Sequence, residues 1–168
     1  LRKEQQKNYD TSDKGQLKRK KYQKHLTASG KNKFYHKKKL NRIKKDPDKL
    51  ATYKLERALR TRLWSALKTS NSKKSLGAKS LVGCSTSFLR AYLEKKFYSH
   101  PITGEKMTWK NYGRVNKIDC WVVDHKKPVD FYIKNYDLND SRVQKICFHY
   151  TNLQPMWEIN NLKKGKKF

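Results

Sequence analysis

Four polar residues in the C-terminal third of the chain have the types and spacing for chemistry on a charged substrate. Asp124 and His125 are adjacent, with Pro128 three residues on. A carboxylate beside an imidazole pairs a hard oxygen ligand for a cation with a proton acceptor that works near neutral pH. Asn152 lies in the string Tyr150-Thr151-Asn152-Leu153-Gln154-Pro155-Met156-Trp157, and Asn161 follows nine residues after it, with Lys164 one turn further. Taken alone, the Asp-His dipeptide reads better as an ordinary surface turn. The three cysteines, Cys84, Cys120 and Cys147, are odd in number and contain no C-x-x-C pair. They read as reduced, mostly buried thiols rather than a disulfide framework or a zinc site.

The elements that must carry these residues follow from periodicity. Ile118 to Val123 reads as a short strand delivering Asp124 and His125 at its end, and Ile146 to Leu153 as a second strand. Trp157 to Lys164 reads as a closing helix stopped by Gly165. Between His125 and Asn152, a short helix is expected around Asp140 to Lys145. Upstream, Leu55, Leu59, Leu63 and Leu67 recur every four residues beside Ala51, Ala58 and Ala66, which predicts a helix over 48–68. Arg57, Arg60 and Arg62 fall off its apolar stripe and would face a phosphate backbone. A second amphipathic helix is expected over Ser87–Phe97, capped by Ser85 or Thr86, with Phe88, Leu89, Tyr92 and Leu93 inward. His100 to Tyr112 reads as turns.

Together the motif residues resemble the HNH endonuclease family in its Asp-His-Asn-Asn variant, a style found in phages, large DNA viruses and bacteria. The matching pieces are Trp121-Val122-Val123-Asp124-His125-x-x-Pro128, Asn152-Leu153-Gln154-Pro155-Met156-Trp157 and Asn161-x-x-Lys164. The likeness extends upstream through Leu81–Ser85 and Met107–Gly113, so that it spans roughly residues 60–167. It implies an α+β fold with a ββα-metal nuclease core over 118–167, in which a hairpin and a helix clasp one divalent cation. It further implies Asp124 and Asn161 as ligands of Mg²⁺ or Mn²⁺, and His125 as general base. Asn152 would tie the hairpin loop and orient the histidine, and Lys164 would meet a phosphate or the last-turn carbonyls of its helix. The implied reaction is hydrolysis of double-stranded DNA to a 5′-phosphate and a 3′-hydroxyl, as a nick or a double-strand break. Asn161 stands where many relatives have histidine, which favours Mg²⁺ or Mn²⁺ over Zn²⁺. Val122 replaces a histidine of many relatives, and cysteine pairs that bind zinc in some are absent. His149 could face the site or be satisfied locally; Asp119 and Asp130 match no motif position. His25, His36 and His100 are expected at the surface.

Composition constrains the partner independently. The 168 residues hold 42 Lys+Arg against 14 Asp+Glu, a formal charge of +28. So dense a positive field calls for a polyanion. Mean hydropathy is −1.09, and no run of about 20 apolar residues occurs, so neither a membrane span nor a signal peptide is expected. An intracellular protein of a host cell's cytoplasm or nucleus, monomeric or weakly dimeric and without a small-molecule cofactor, fits this pattern. Leu1 leaves the native start open.

Charge also divides the chain, with +13 on residues 1–50 and +15 on 51–168. The first stretch is too polar to build a core alone. It is read as a basic DNA-contacting arm of short helices broken at Gly15 and Gly30, with Lys20, Lys21, Lys37 and Lys38 among its contacts. Residues 51–168 are read as the nuclease domain. Two other classes fit part of the pattern: an inactive HNH-derived nucleic-acid-binding protein, and a structural RNA-binding protein. Neither needs all four motif residues.

Overall fold

The computed structural model describes residues 11–113 and 119–165. The expected strand start at Ile118, the first ten residues of the arm and the last two positions of the 118–167 motif lie outside the described residues. The chain divides into two compact units, 1–46 and 47–168.

The first unit carries α1 (Asp13–Ala28) and α2 (Lys31–Lys44). Ser12 caps α1 by accepting from the Gly15 amide at 3.2 Å. Gly15 therefore sits inside the first turn and does not break the helix, contrary to expectation, because the cap satisfies its N–H. Gly30 does separate the helices, since its φ of 68° is left-handed.

The second unit opens with α3 (Pro47–Thr69), where Pro47 occupies the first turn and needs no N–H donor. Its Leu55, Leu63 and Leu67 stripe is buried as the four-residue spacing requires. Next come α4 (Ala78–Val82) and α5 (Thr86–Glu94), the latter capped by Ser85, whose hydroxyl accepts from the Phe88 amide at 3.1 Å. Arg90 on α5 ties back to the start of α3 through Asp48 Oδ1 at 2.9 Å and Thr52 Oγ1 at 2.8 Å.

Strand β1 (Trp121–His125) is followed by α6 (Val129–Asn135), α7 (Ser141–Phe148) and a 3₁₀ turn at Tyr150–Asn152. Strand β2 (Leu153–Trp157) and α8 (Glu158–Lys164) complete the described chain. The fold is thus α+β: mostly helical, with one two-stranded antiparallel sheet among the described residues. Register pairs Trp121 with Trp157, Val123 with Pro155 and His125 with Leu153.

Two expectations are corrected. Asp124 and His125 are the last two residues of β1 rather than residues beyond it. The second strand is Leu153–Trp157, not Ile146–Leu153, because Ile146-Cys147-Phe148 belongs to amphipathic α7, which buries Gln144, Cys147 and Phe148. Pro155 is tolerated in β2 because a strand in a two-stranded sheet has an edge that needs no donor.

The core has two clusters. Trp121 and Trp157, both fully buried, join Leu55, Leu89, Leu93 and Leu153 beneath the sheet. Leu63, Leu67, Leu81, Leu138 and Phe148 pack α3 against α4 and α7. Gln144 locks the second cluster: its amide nitrogen donates to the carbonyls of Lys73 and Leu138, and its oxygen accepts from the amide and hydroxyl of Ser75.

Candidate functional site

The sheet and helix α8 bring two of the four motif residues, Asp124 and His125, into one bonded assembly with Lys164. Asp124 faces Gln154 and His125 faces Leu153 across the sheet, so both end β1 where β2 begins. Lys164 reaches back from the last turn of α8 to this strand end. Its ammonium donates to Asp124 Oδ2 at 2.6 Å, to the His125 carbonyl at 2.5 Å and to the Lys126 carbonyl at 3.2 Å. Both side chains of the pair are more than four-fifths buried, at 19% and 17% exposed. Lys164 thus bonds the strand end rather than the last-turn carbonyls of its own helix, because the strand end offers three oxygens at once.

Asn152 closes the loop that follows His125. Its side-chain oxygen accepts from the Lys127 amide at 2.9 Å, and its nitrogen donates to the carbonyls of Lys127 at 3.1 Å and Cys147 at 2.8 Å. The Lys126 amide also donates to the Asn152 carbonyl at 2.7 Å. One side chain therefore fixes both the turn after β1 and the end of α7.

Asn161 lies on α8 three residues before Lys164, on the same face of the helix. Its amide nitrogen donates to Glu158 Oε2 at 3.2 Å. Glu158, buried at 4% exposure, was not anticipated from sequence. Its i−3 spacing from Asn161 was the available signal.

The residues present fit a hard divalent cation in donor type. Asp124 Oδ1 and the Asn161 amide oxygen accept no hydrogen bond from another described residue, and such cations take oxygen ligands. Among the described residues no group of three or more His, Cys, Asp or Glu side chains comes together to hold a metal. A set of one carboxylate and one amide differs from such a cluster.

His125 is 7% exposed, with its ring 5.8 Å from that of Phe148 in an edge-on contact. Burial pushes its pKa down to about 4, and the positive charge of Arg62 adds to this; Asp124 opposes the shift and Lys164 reinforces it. The expected value near 7 is therefore corrected. The imidazole is neutral at physiological pH and less basic than a free histidine.

An open groove of about 370 Å³ lies beside the pair, lined by Asp124 and His125 together with Arg62, Ser65 and Thr69 of α3. Arg62 is half-buried, whereas Arg57 and Arg60 are exposed.

No family model matches the chain, and no solved structure does. Among curated proteins it is similar to "Uncharacterized protein L246" of Acanthamoeba polyphaga mimivirus, 34% identical over 121 residues, which are 72% of this chain and 44% of that protein. It is also similar to "Uncharacterized protein L426" of the same virus, 27% identical over 165 residues, or 95% of this chain and 65% of that protein. The chain spans less than two thirds of the length of either viral relative.

Other sequence candidates lie elsewhere. His149 precedes the 3₁₀ turn, bonds Thr151 Oγ1 at 2.8 Å and packs against Gly83. His100 is buried, not exposed as expected: its Nδ1 accepts from the amides of Ile102 and Thr103, which knots the turn after α5. His25 and His36 are exposed, as are Lys20, Lys21, Lys37 and Lys38. Cys120 and Cys147 are buried and Cys84 half-buried, all as free thiols. Among the described residues no helix is long and apolar enough to cross a membrane.

Proposed function

We propose that the 47–168 unit is a metal-dependent DNA endonuclease of the ββα-metal (HNH) type, hydrolysing phosphodiester bonds to leave a 5′-phosphate and a 3′-hydroxyl. One observation carries the reading. The Asp124-His125 pair ends a hairpin strand that Asn152 braces on one side and that Lys164, from the helix bearing Asn161, binds on the other. A structural binder of nucleic acid needs no buried imidazole beside a carboxylate at the mouth of a groove.

In this reading His125 takes a proton from the attacking water. Its neutral form has the required vacancy, and an anionic phosphate in the groove would counter Arg62 and Lys164 and raise its basicity. Asn152 holds the turn after β1 and so fixes where the imidazole sits. Asp124 and Asn161 would hold Mg²⁺ or Mn²⁺, which offsets charge on the phosphate and leaving oxygen when bound. The exposed Arg57 and Arg60, with Lys20, Lys21, Lys37 and Lys38 of the basic arm, would contact the DNA backbone without reading sequence.

Supercoiled plasmid incubated with the purified protein tests this directly. Nicked or linear product in Mg²⁺ or Mn²⁺, and none in EDTA, is the expected result.

A further inference from the structure

We propose that Trp64 and the groove beside it on α3 form a binding site for an unpaired nucleobase of a single-stranded nucleic acid, with Arg60, Lys68 and Lys74 holding the flanking phosphates. The site lies on a different face of α3 from the Asp124–His125 groove and holds whether or not the protein cuts.

Trp64 does not serve the core. Trp121 and Trp157 are fully buried, whereas the Trp64 indole is 63% exposed on a helix whose Leu63 and Leu67 are buried beside it. It borders an open groove of about 350 Å³, lined also by Leu67, by Arg60 and Lys68 four residues to either side, and by Ser72 and Lys74 of the segment after α3. At about 3.6 residues per turn, Arg60, Trp64 and Lys68 share one face of α3. Arg62, Ser65 and Thr69, which line the groove beside Asp124, lie on another.

The chemistry of the lining fits a nucleotide. An indole left open to solvent can stack on the π-face of any unpaired base. The Lys68 ammonium lies 5.0 Å from the ring centroid, so a positive charge stands next to the stacking surface. Arg60, Lys68 and Lys74 are exposed, and among the described residues no acidic side chain lines the groove. Glu56 approaches Arg60 only at 4.0 Å and is itself held by Lys79 at 3.6 Å and by the Thr86 hydroxyl at 2.9 Å. The Ser72 hydroxyl bonds to Ser70, which leaves stacking and charge as the means of recognition. A second copy of this chain would bring its own +28 against these cations, so self-association does not fit. Bases inside a duplex do not fit either, because they must leave the stack before a side chain can cover their faces.

Binding in EDTA, at about 200 mM salt to weaken general phosphate contacts, compares the parent chain with Trp64→Leu and Trp64→Phe, each checked for an unchanged melting temperature. The ligands are an oligothymidylate of about 12 nucleotides, an abasic strand of equal length and a long duplex. Trp64→Leu is expected to lose at least about fivefold in affinity for the oligothymidylate, as removal of one base–aromatic stack does, and less than about twofold for the other two. Trp64→Phe, which keeps a ring, should recover part of the loss. A smaller loss on the oligothymidylate overturns the site. So does an equal loss on the duplex, or on the abasic strand, which would mark the groove as a seat for any polyanion. A second arm needs no variant. An oligothymidylate carrying 5-iodouracil is irradiated with the parent, and cross-linked peptides are identified by mass spectrometry. An adduct on Trp64 supports the site; adducts confined to other residues, or none at all, overturn it. Neither arm depends on cleavage, so an inactive parent leaves this site standing, and failure of the site leaves the nuclease reading untouched.

Discussion

The ammonium of Lys164 sits 2.6 Å from Asp124 Oδ2 and binds the carbonyl oxygens of His125 and Lys126 as well. A single cation thus neutralises the carboxylate assigned to the metal and pins the helix bearing Asn161 to the strand bearing His125. Removing it would leave a mostly buried charge and two carbonyls without their donor. Lys164→Met is expected to cost about 3 kcal/mol in EDTA. Because the competing charge is gone, the variant should gain more stability from Mn²⁺ than the parent does. Urea denaturation with and without Mn²⁺ measures both, and equal Mn²⁺ gains would contradict the account.

Asn152 makes three side-chain hydrogen bonds between the turn after β1 and the end of α7. At about 1 kcal/mol each, Asn152→Ala should destabilise the protein by about 3 kcal/mol. Asn152→Asp should be worse at neutral pH, since a carboxylate would replace the donor that faces the carbonyls of Lys127 and Cys147. If denaturation ranks the aspartate above the alanine, the assigned orientation of this amide is wrong.

Gly83 has a φ of 76°, and a Cβ placed there would lie 2.6 Å from His149 Cδ2. Gly83→Ala therefore suffers twice, from left-handed backbone strain of about 1–2 kcal/mol and from collision with the imidazole. In the double variant with His149→Ala the collision disappears and only the backbone cost should remain. A double-mutant cycle reads the difference as a coupling energy, and strict additivity would exclude the contact.

His125 makes stability depend on pH in a defined window. Unfolded, its imidazole titrates near 6.5; folded, burial and Arg62 lower this to about 4. Between those values the unfolded chain binds a proton that the folded chain refuses. Its contribution is therefore complete above about pH 6.5, falls as pH drops towards 4, and amounts to about 3 kcal/mol in all. Denaturation curves of parent and His125→Gln from pH 7.5 to 4 should converge by that amount on acidification. Parallel curves would contradict the buried neutral state.

Much of the site's surroundings was legible because its signals are local. The four-residue leucine spacing located α3, the Ser85 cap located α5, and Gly165 marked the end of α8. Placement of β2 failed for a physical reason. Ile146-Cys147-Phe148 has β-rich composition, yet it alternates on a helical period with Val143 and Gln144, whereas the true strand contains a proline that argues against strands. Helix α6, with Phe131 and Tyr132 in one short turn-flanked run, has too few residues for a period to show. The burial of His100 and the engagement of Lys164 by three oxygens depend on partners far along the chain, which no window of sequence contains. Asn152 was legible as a brace only through its place in a longer motif.

The central claim is that His125 performs chemistry on DNA. Supercoiled plasmid nicking in Mg²⁺ by the parent and by His125→Ala, with duplex affinity measured in parallel, tests it most directly. The account predicts nicking by the parent, at least about 100-fold slower nicking by the variant, and affinities that agree within about threefold. Equal nicking by both proteins, or none by a folded parent that binds DNA in Mg²⁺ and Mn²⁺, would contradict it.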